Sequence, residues 1–325
     1  MIKHHCLAFV LLLAGLGMMP EADLGELRRF EFKQVHMGTE FRIVLYAPDE
    51  ATARKASDAA FARIAQLDGI MSDYKSTSEL MQLCKKAGGD PVPVSDDLLA
   101  VLTRALEISR LTDGAFDITV GPLVRLWRRA RRTMMLPDAD ELAAARNLVG
   151  YQQVQVDAKN HTVRLTAKGI LLDLGGIAKG YAAAAALEVL RRQGIRRALV
   201  AGGGDIVVGE APPDAKGWKI GIAPLDNPTA KPSRYLSLIN AAVSTSGDTE
   251  QYVEIGGKRY SHIVDPKTGL GLTTRMAVTV VNTDGKTSDG LATGLCVLGP
   301  ARGLDVIEKL ESAAALYVID RKSVV

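Results

Sequence analysis

The sequence predicts an α+β fold: mixed sheets with packed helices in one compact catalytic-sized unit, of two lobes at most. Strand-like and helix-like patterns do not alternate one for one, and the strands crowd into the second half of the chain. No repeat of solenoid length and no Pro/Ser-rich linker divides the chain.

The elements follow in order. Lys3, His4 and His5 precede an apolar run of fourteen residues, Cys6 to Met19. That length suits a signal peptide and falls short of the roughly 20 residues that cross a bilayer. Pro20-Glu21-Ala22 is a weak cleavage site, so residues 1–22 read as a signal peptide or a retained N-terminal anchor. The protein is therefore expected to be exported, periplasmic or tethered to the inner membrane. Phe30 to Ala47 alternates on both sides of Gly38, predicting paired strands. Pro48-Asp49 caps an alanine-rich helix over 50–68. Another helix opens at Ser95, carries Leu98, Leu99, Leu102, Leu106 and Ile108 on one side, and stops at Asp113-Gly114. Residues 154–156 and 162–166 read as a hairpin turning at Lys159-Asn160. A strand ends in Asp173, and a helix runs from after Gly176 to Gln193, stopped by Gly194. Short strands are expected near 197–201, 217–222, 235–239, 252–255, 259–264 and 277–281. Helices near 287–298 and 301–312 and a strand over 314–319 complete the chain.

Composition removes several function classes. A net charge of +3 over 325 residues gives no basic stripe for nucleic acid. Two Trp, eight Tyr and six Phe are too few and scattered for a base-stacking platform. Three cysteines build no disulfide framework, and Cys296, in the apolar run GLCVLG, reads as a small buried hydrophobe. The arginines of 125–132 read as a solvated helical face or, more sharply, as a contact for a membrane surface or an acidic acceptor.

Four segments concentrate polar chemistry. Thr287 to Thr293 opens an apolar helix with Asp289 and Thr293 four apart, hence on one face. A carboxylate and a hydroxyl so placed make half a Mg²⁺ site; the plainer alternative is that Ser288 or Asp289 only caps the helix. Leu172 to Tyr181 places Asp173, two glycines and Lys179 at a helix start, which favours phosphate. It lacks the spacing of the nucleotide-binding P-loop or of the dinucleotide fingerprint. Gly202-Gly203-Gly204-Asp205 also follows an apolar strand, and Gly202–Gly204 alone would be a turn. Ser244 to Asp248 is followed by Arg259 to Gly269, within which His262 is either a base or a hydrogen-bonded structural residue.

Taken together and in this order, these segments resemble the FAD:protein FMN transferases of the ApbE type. The resemblance runs from His36-Met37-Gly38-Thr39 to Gly299 and also takes in Met71 to Tyr74, Ser78-Glu79 and Gly114 to Thr119. It implies a catalytic domain over 28–325 that binds FAD with Mg²⁺, attaches FMN through a phosphoester to a Ser or Thr of an acceptor protein, and releases AMP. Acceptors would carry an Asp-Gly-x-Ser/Thr-Gly-Ala-Ser/Thr-like motif and belong to membrane redox complexes. By the same resemblance, Asp289, Thr293 and the Gly176 carbonyl would hold the metal. Met37, Tyr74, Ala115, Phe116, Asp117, Asp173, Lys179 and Ile263 would contact the flavin nucleotide. His262 would be the base, with Asp173 the second catalytic candidate. The chain departs from the family pattern at Ala184, Ala201 and Thr249-Glu250-Gln251. Asp284 to Ser288 begins like an acceptor motif, but Asp289-Gly290 breaks it, so self-flavinylation is not expected. Two other activities compete: an FAD pyrophosphatase giving FMN and AMP, and a non-enzymatic periplasmic flavin-binding protein.

Overall fold

The computed structural model describes residues 26–225, 230–247 and 251–320; the targeting segment, Asp248 and two of the departures, Thr249 and Glu250, lie outside them. The chain opens with β1 (Arg28–His36) and β2 (Thr39–Ala47), paired antiparallel through the Met37-Gly38 turn. Next come α1 (Glu50–Met71), α2 (Glu79–Lys85), β3 (Val92–Pro93) and α3 (Asp96–Leu111). Asp49, Ser78 and Ser95 cap the three helices through their side chains, each accepting from a first-turn amide. The middle of the chain holds α4 (Gly121–Thr133), α5 (Ala139–Arg146), β4 (Val154–Asp157), β5 (Thr162–Leu165) and α6 (Ala178–Arg192). Seven strands follow: β6 (Ala198–Gly202), β7 (Asp205–Val208), β8 (Trp218–Ile222), β9 (Arg234–Leu238), β10 (Ala241–Gly247), β11 (Tyr252–Ile255) and β12 (Lys258–Ser261). The described chain closes with β13 (Met276–Asn282), α7 (Gly285–Ile307) and β14 (Ala314–Ile319).

One seven-stranded sheet, in the order β1-β2-β6-β7-β10-β13-β14, is antiparallel throughout, which is the α+β architecture the sequence predicts. The period of two is visible in β2 and β6. Phe41, Ile43, Leu45, Ala198 and Val200 face the main core with α1, α6 and α7, while Val44, Leu199 and Ala201 face the β8–β9 hairpin with its Trp218 and Ile220. A third cluster unites α4 and α5 with β11 and β12 through Leu123, Trp127, Val253 and Tyr260, forming a smaller lobe. Trp127 Nε1 donates to the Gly269 carbonyl at 2.8 Å and pins the loop after β12 to α4.

Three expectations change. No strand forms before Asp173: Leu171, Leu172 and Asp173 run extended but bond singly to Gly121, the Cys84 thiol and Ile118, so no ladder develops. The polar stretch 241–247 is a central strand. Helices α2 and α5 go beyond the sequence reading because each is shorter than three turns and has little periodicity to show. The run α7 is two helices joined at Gly299, whose φ of 73° before Pro300 breaks the first, in keeping with the two expected there.

Candidate active site

Helices α6 and α7 cross at glycine. Gly180 lies against the Gly285 backbone, and a Cβ there would also stand 2.8 Å from the Asp289 Cβ. The Gly180 N–H donates to Asp289 Oδ2 at 3.0 Å. One turn earlier, a Cβ on Gly176 would sit 2.8 Å from Thr293 Oγ1. The contact therefore brings Gly176, Asp289 and Thr293 together, all from different turns of two helix starts. Asp289 does not cap its own helix, since the N-cap residue of α7 is Asp284 and the Ser288 hydroxyl is engaged with Ser244 at 2.8 Å; its carboxylate instead accepts from the first turn of α6. Thr293 Oγ1 also meets the Ser246 hydroxyl of β10 at 3.2 Å.

Charge in this pocket is uneven. Asp289 is only 2% exposed, and Asp205 is buried beside it. Lys179 Nζ stands 3.8 Å from Asp289 Oδ2 and 3.4 Å from Asp205 Oδ2, and donates to the Gly175 carbonyl at 2.6 Å. Burial would lower the Lys179 pKa, but Asp289 and Asp205 outweigh it and hold the ammonium charged. Burial, then the charge on Asp205, raises Asp289 to about 7, with Lys179 opposing. One ammonium thus serves two buried carboxylates, and an added cation is favoured. The donors at hand are oxygen only (a carboxylate, a hydroxyl, a turn carbonyl), a set that fits a hard cation such as Mg²⁺ with phosphate and water completing it. Among the described residues no group of three or more His, Cys, Asp or Glu offers a softer metal a site.

A second cluster adjoins the first through the Gly175 turn. The Gly175 N–H donates to Asp173 Oδ1 at 2.8 Å. Asp173 Oδ2 pairs with Arg128 at 3.1 Å, and the same guanidinium pairs with Asp73. Burial and the neighbouring Asp73 raise the Asp173 pKa, and Arg128 opposes them. The Arg128 guanidinium also lies 4.1 Å from the Tyr74 ring centroid. Tyr74 is 75% exposed, so its ring stands out from the surface rather than packing under a loop.

The other expected nucleotide contacts range from half-buried to buried. Met37 sits in the β1–β2 turn with a φ of 49°. Ala115 and Phe116 are buried beneath α7, where a Cβ on Gly294 would stand 3.0 Å from that of Phe116. Asp117 is buried with both carboxylate oxygens engaged, Oδ1 by the Thr119 amide and hydroxyl and Oδ2 by the Tyr151 amide. Ile263 is buried beside His262. His262 Nδ1 lies 3.0 Å from the Gln251 carbonyl. A carbonyl only accepts, so Nδ1 carries the proton and Nε2 is the basic nitrogen. Of the departures, Ala184 lies on α6 and Ala201 on the face of β6 away from the main core.

Three residues of this arrangement escaped the sequence reading. Arg128 belonged to a run read as a solvated face or a contact for a membrane surface or acidic acceptor, whereas Arg128 of that run turns inward onto Asp73 and Asp173. Asp205 stood in a segment singled out after three glycines but was given no role there. Ser246 sat in a polar stretch with no strand signal.

The ApbE family matches residues 37–317. An FAD:protein FMN transferase of Klebsiella pneumoniae (strain 342) is 34% identical over 291 residues, covering 87% of this chain and 82% of that protein. One from Vibrio cholerae is 33% identical over 314 residues, covering 93% and 89%. Among solved structures, the flavin transferase ApbE from Vibrio cholerae superposes with a TM-score of 0.80 at 31% identity over 91% of this chain and 95% of that one. The Pseudomonas stutzeri flavinyl transferase ApbE, apo form, gives 0.80 at 30% identity over 92% and 93%. Sequence and fold agree over nearly the whole length, with the α6–α7 crossing inside the matched region, and the chain belongs to the ApbE family.

Proposed function

We propose that this protein transfers the FMN moiety of FAD to a Ser or Thr hydroxyl of an acceptor protein and releases AMP, with Mg²⁺ bound by Asp289, Thr293 and the Gly176 carbonyl. The observation that carries the reading is the continuous line from Tyr74 through Arg128, Asp173 and Gly175 to Lys179 and Asp289. It offers an aromatic surface at one end and a cation-demanding cluster of oxygen donors at the other, which suits a flavin dinucleotide bound with a cation. Lys179, which already neutralises Asp205 and Asp289, would hold the pyrophosphate together with the bound cation. The bound cation would neutralise charge developing on the leaving phosphate. The acceptor oxygen attacks the phosphorus on the FMN side, the bond from that phosphorus to the bridging oxygen breaks, and AMP leaves with that oxygen. The hydroxyl proton passes to His262 Nε2, whose tautomer the Gln251 carbonyl favours. Asp173, paired with Arg128 and accepting from the Gly175 amide, orients the turn that leads into α6 and Lys179. Such a reaction needs alignment and charge neutralisation more than covalent help from the protein.

The reading includes a catalytic domain over 28–325, export on the strength of the apolar run at 6–19, and an acceptor with an Asp-Gly-x-Ser/Thr-Gly-Ala-Ser/Thr-like motif in a membrane redox complex. The test is incubation with FAD, Mg²⁺ and a motif-bearing acceptor, followed by intact-mass analysis. A mass gain equal to FMN supports transfer. Free FMN and AMP without acceptor labelling would make the protein a pyrophosphatase, and unchanged FAD would make it a flavin-binding protein.

A further inference from the structure

We infer that Arg128 is a positioning residue for the flavin end of the substrate: it fixes the Tyr74 ring as a stacking platform and ties that platform to Asp173. The inference rests on the flavin-transfer reading above.

Arg128 projects from α4, a helix whose Leu123, Trp127 and Ala130 are buried in the smaller lobe, so its base does not move freely. Its side chain is mostly buried, and its guanidinium meets three groups at once. The fork of N–H donors faces Asp73 and Asp173. The flat face covers one side of Tyr74 at 4.1 Å. Burying ion pairs gains little stability over packing apolar side chains in the same place, so stability alone is a poor reason for this arrangement. An exposed tyrosine on a turn would ordinarily sample several rotamers. With one ring face held by a cation that two carboxylates hold in turn, the orientation is set and the opposite face is presented outward. That face matches a large planar aromatic ligand. Because Asp173 also receives the Gly175 N–H, the guanidinium fixes the platform relative to the phosphate end of the site. A lysine would keep the charge but lose both the plane and the fork.

The test compares FAD affinity, by fluorescence titration, with ADP affinity, by calorimetry, both with Mg²⁺. Arg128→Lys is expected to weaken FAD binding about five- to tenfold while ADP binding and melting temperature stay as in wild type. In a double-mutant cycle, adding Arg128→Lys to Tyr74→Ala is expected to weaken FAD binding no further, because Arg128 acts through the ring. Arg128→Ala should weaken FAD binding at least as much but also lower the melting temperature, because Asp73 and Asp173 lose their partner; if it does not fold, the lysine variant carries the test. Unchanged FAD affinity in Arg128→Lys overturns the assignment. So does tighter binding, the result if the guanidinium fills the flavin slot, or an equal loss for ADP and FAD, the result of general distortion. A wild type that binds ADP but no FAD sinks the flavin reading and this role with it. A wild type that binds FAD beside unaffected Arg128 variants sinks the Arg128 role alone.

Discussion

At the residue scale, Asp289 carries the most weight, because it is the one carboxylate in the proposed metal set and is buried with a shared counter-ion. Asp289→Ala is expected to stay folded, to lose Mg²⁺ binding in a calorimetric titration, and to lose turnover by about a hundredfold or more. Near-normal turnover at limiting Mg²⁺ would reduce Asp289 to an acceptor for the Gly180 amide. Tyr74 gives a cleaner contrast. Its exposed ring is expected to contribute stacking rather than folding energy, so Tyr74→Ala should weaken FAD binding about tenfold and Tyr74→Phe hardly at all. Equal losses in both variants would contradict stacking. That Asp289 and Thr293 share one face of α7 was legible in the sequence because a helix places residues four apart on one face, but the same spacing suits a plain helix cap. Arg128 was not: which arginine of a run turns inward depends on Asp73 and Asp173, each far along the chain, and no local pattern encodes them.

At the element scale, the site depends on how closely α6 approaches α7. Gly180→Ala would press a methyl group into the Gly285 backbone and the Asp289 side chain. Overpacking of this kind costs about 1–3 kcal/mol, and here it would also displace the amide that holds Asp289. The expected result is a lower melting temperature together with weaker Mg²⁺ binding. Gly69→Ala is the control, since Gly69 lies in α1 with open space around a Cβ; that change should stabilise by about 0.5–1 kcal/mol and leave the metal untouched. If the two variants behave alike in denaturant titrations, close approach is not what Gly180 provides. The sequence reading anticipated strands such as β2 and β14 because their apolar residues either alternate or run together. It passed over β10, Ala-Ala-Val-Ser-Thr-Ser-Gly, because the hydroxyls that make the stretch look like a loop are satisfied across the fold. Ser244 bonds Ser288, Thr245 bonds Thr279, and Ser246 bonds Thr293. Tertiary partners there override local propensity.

At the scale of the whole molecule, the site draws on both the main core and the smaller lobe. Asp289, Thr293 and Lys179 belong to helices packed on the large sheet, whereas Arg128 and the loop bearing His262 belong to the cluster built on α4. Among the described residues, Arg128 joins the two through Asp73 and Asp173, and Lys267 through Asp113, which Arg302 also meets. The last two are exposed pairs and contribute little. A dinucleotide laid from Tyr74 to Lys179 would add contacts on both sides of this seam, so its binding free energy should appear as stability of the whole chain. At a hundredfold excess over Kd, a ligand that binds only the folded protein stabilises it by about 2.7 kcal/mol. For a chain of this size that is a rise in melting temperature of about 5 °C. The prediction is that FAD with Mg²⁺ raises the temperature by about this amount in one cooperative transition. ADP with Mg²⁺, which engages only the phosphate end, should stabilise the main core comparably at the same multiple of its own Kd but leave the α4 lobe, which it does not touch, to melt earlier in a separate transition. Such a transition is readable from Trp127, which is buried in that lobe, against Trp218, which packs on the far face of the sheet. Identical melting profiles with FAD and ADP at matched saturation would mean that the flavin ring does not bridge the lobes, and that Tyr74 and Arg128 face something else.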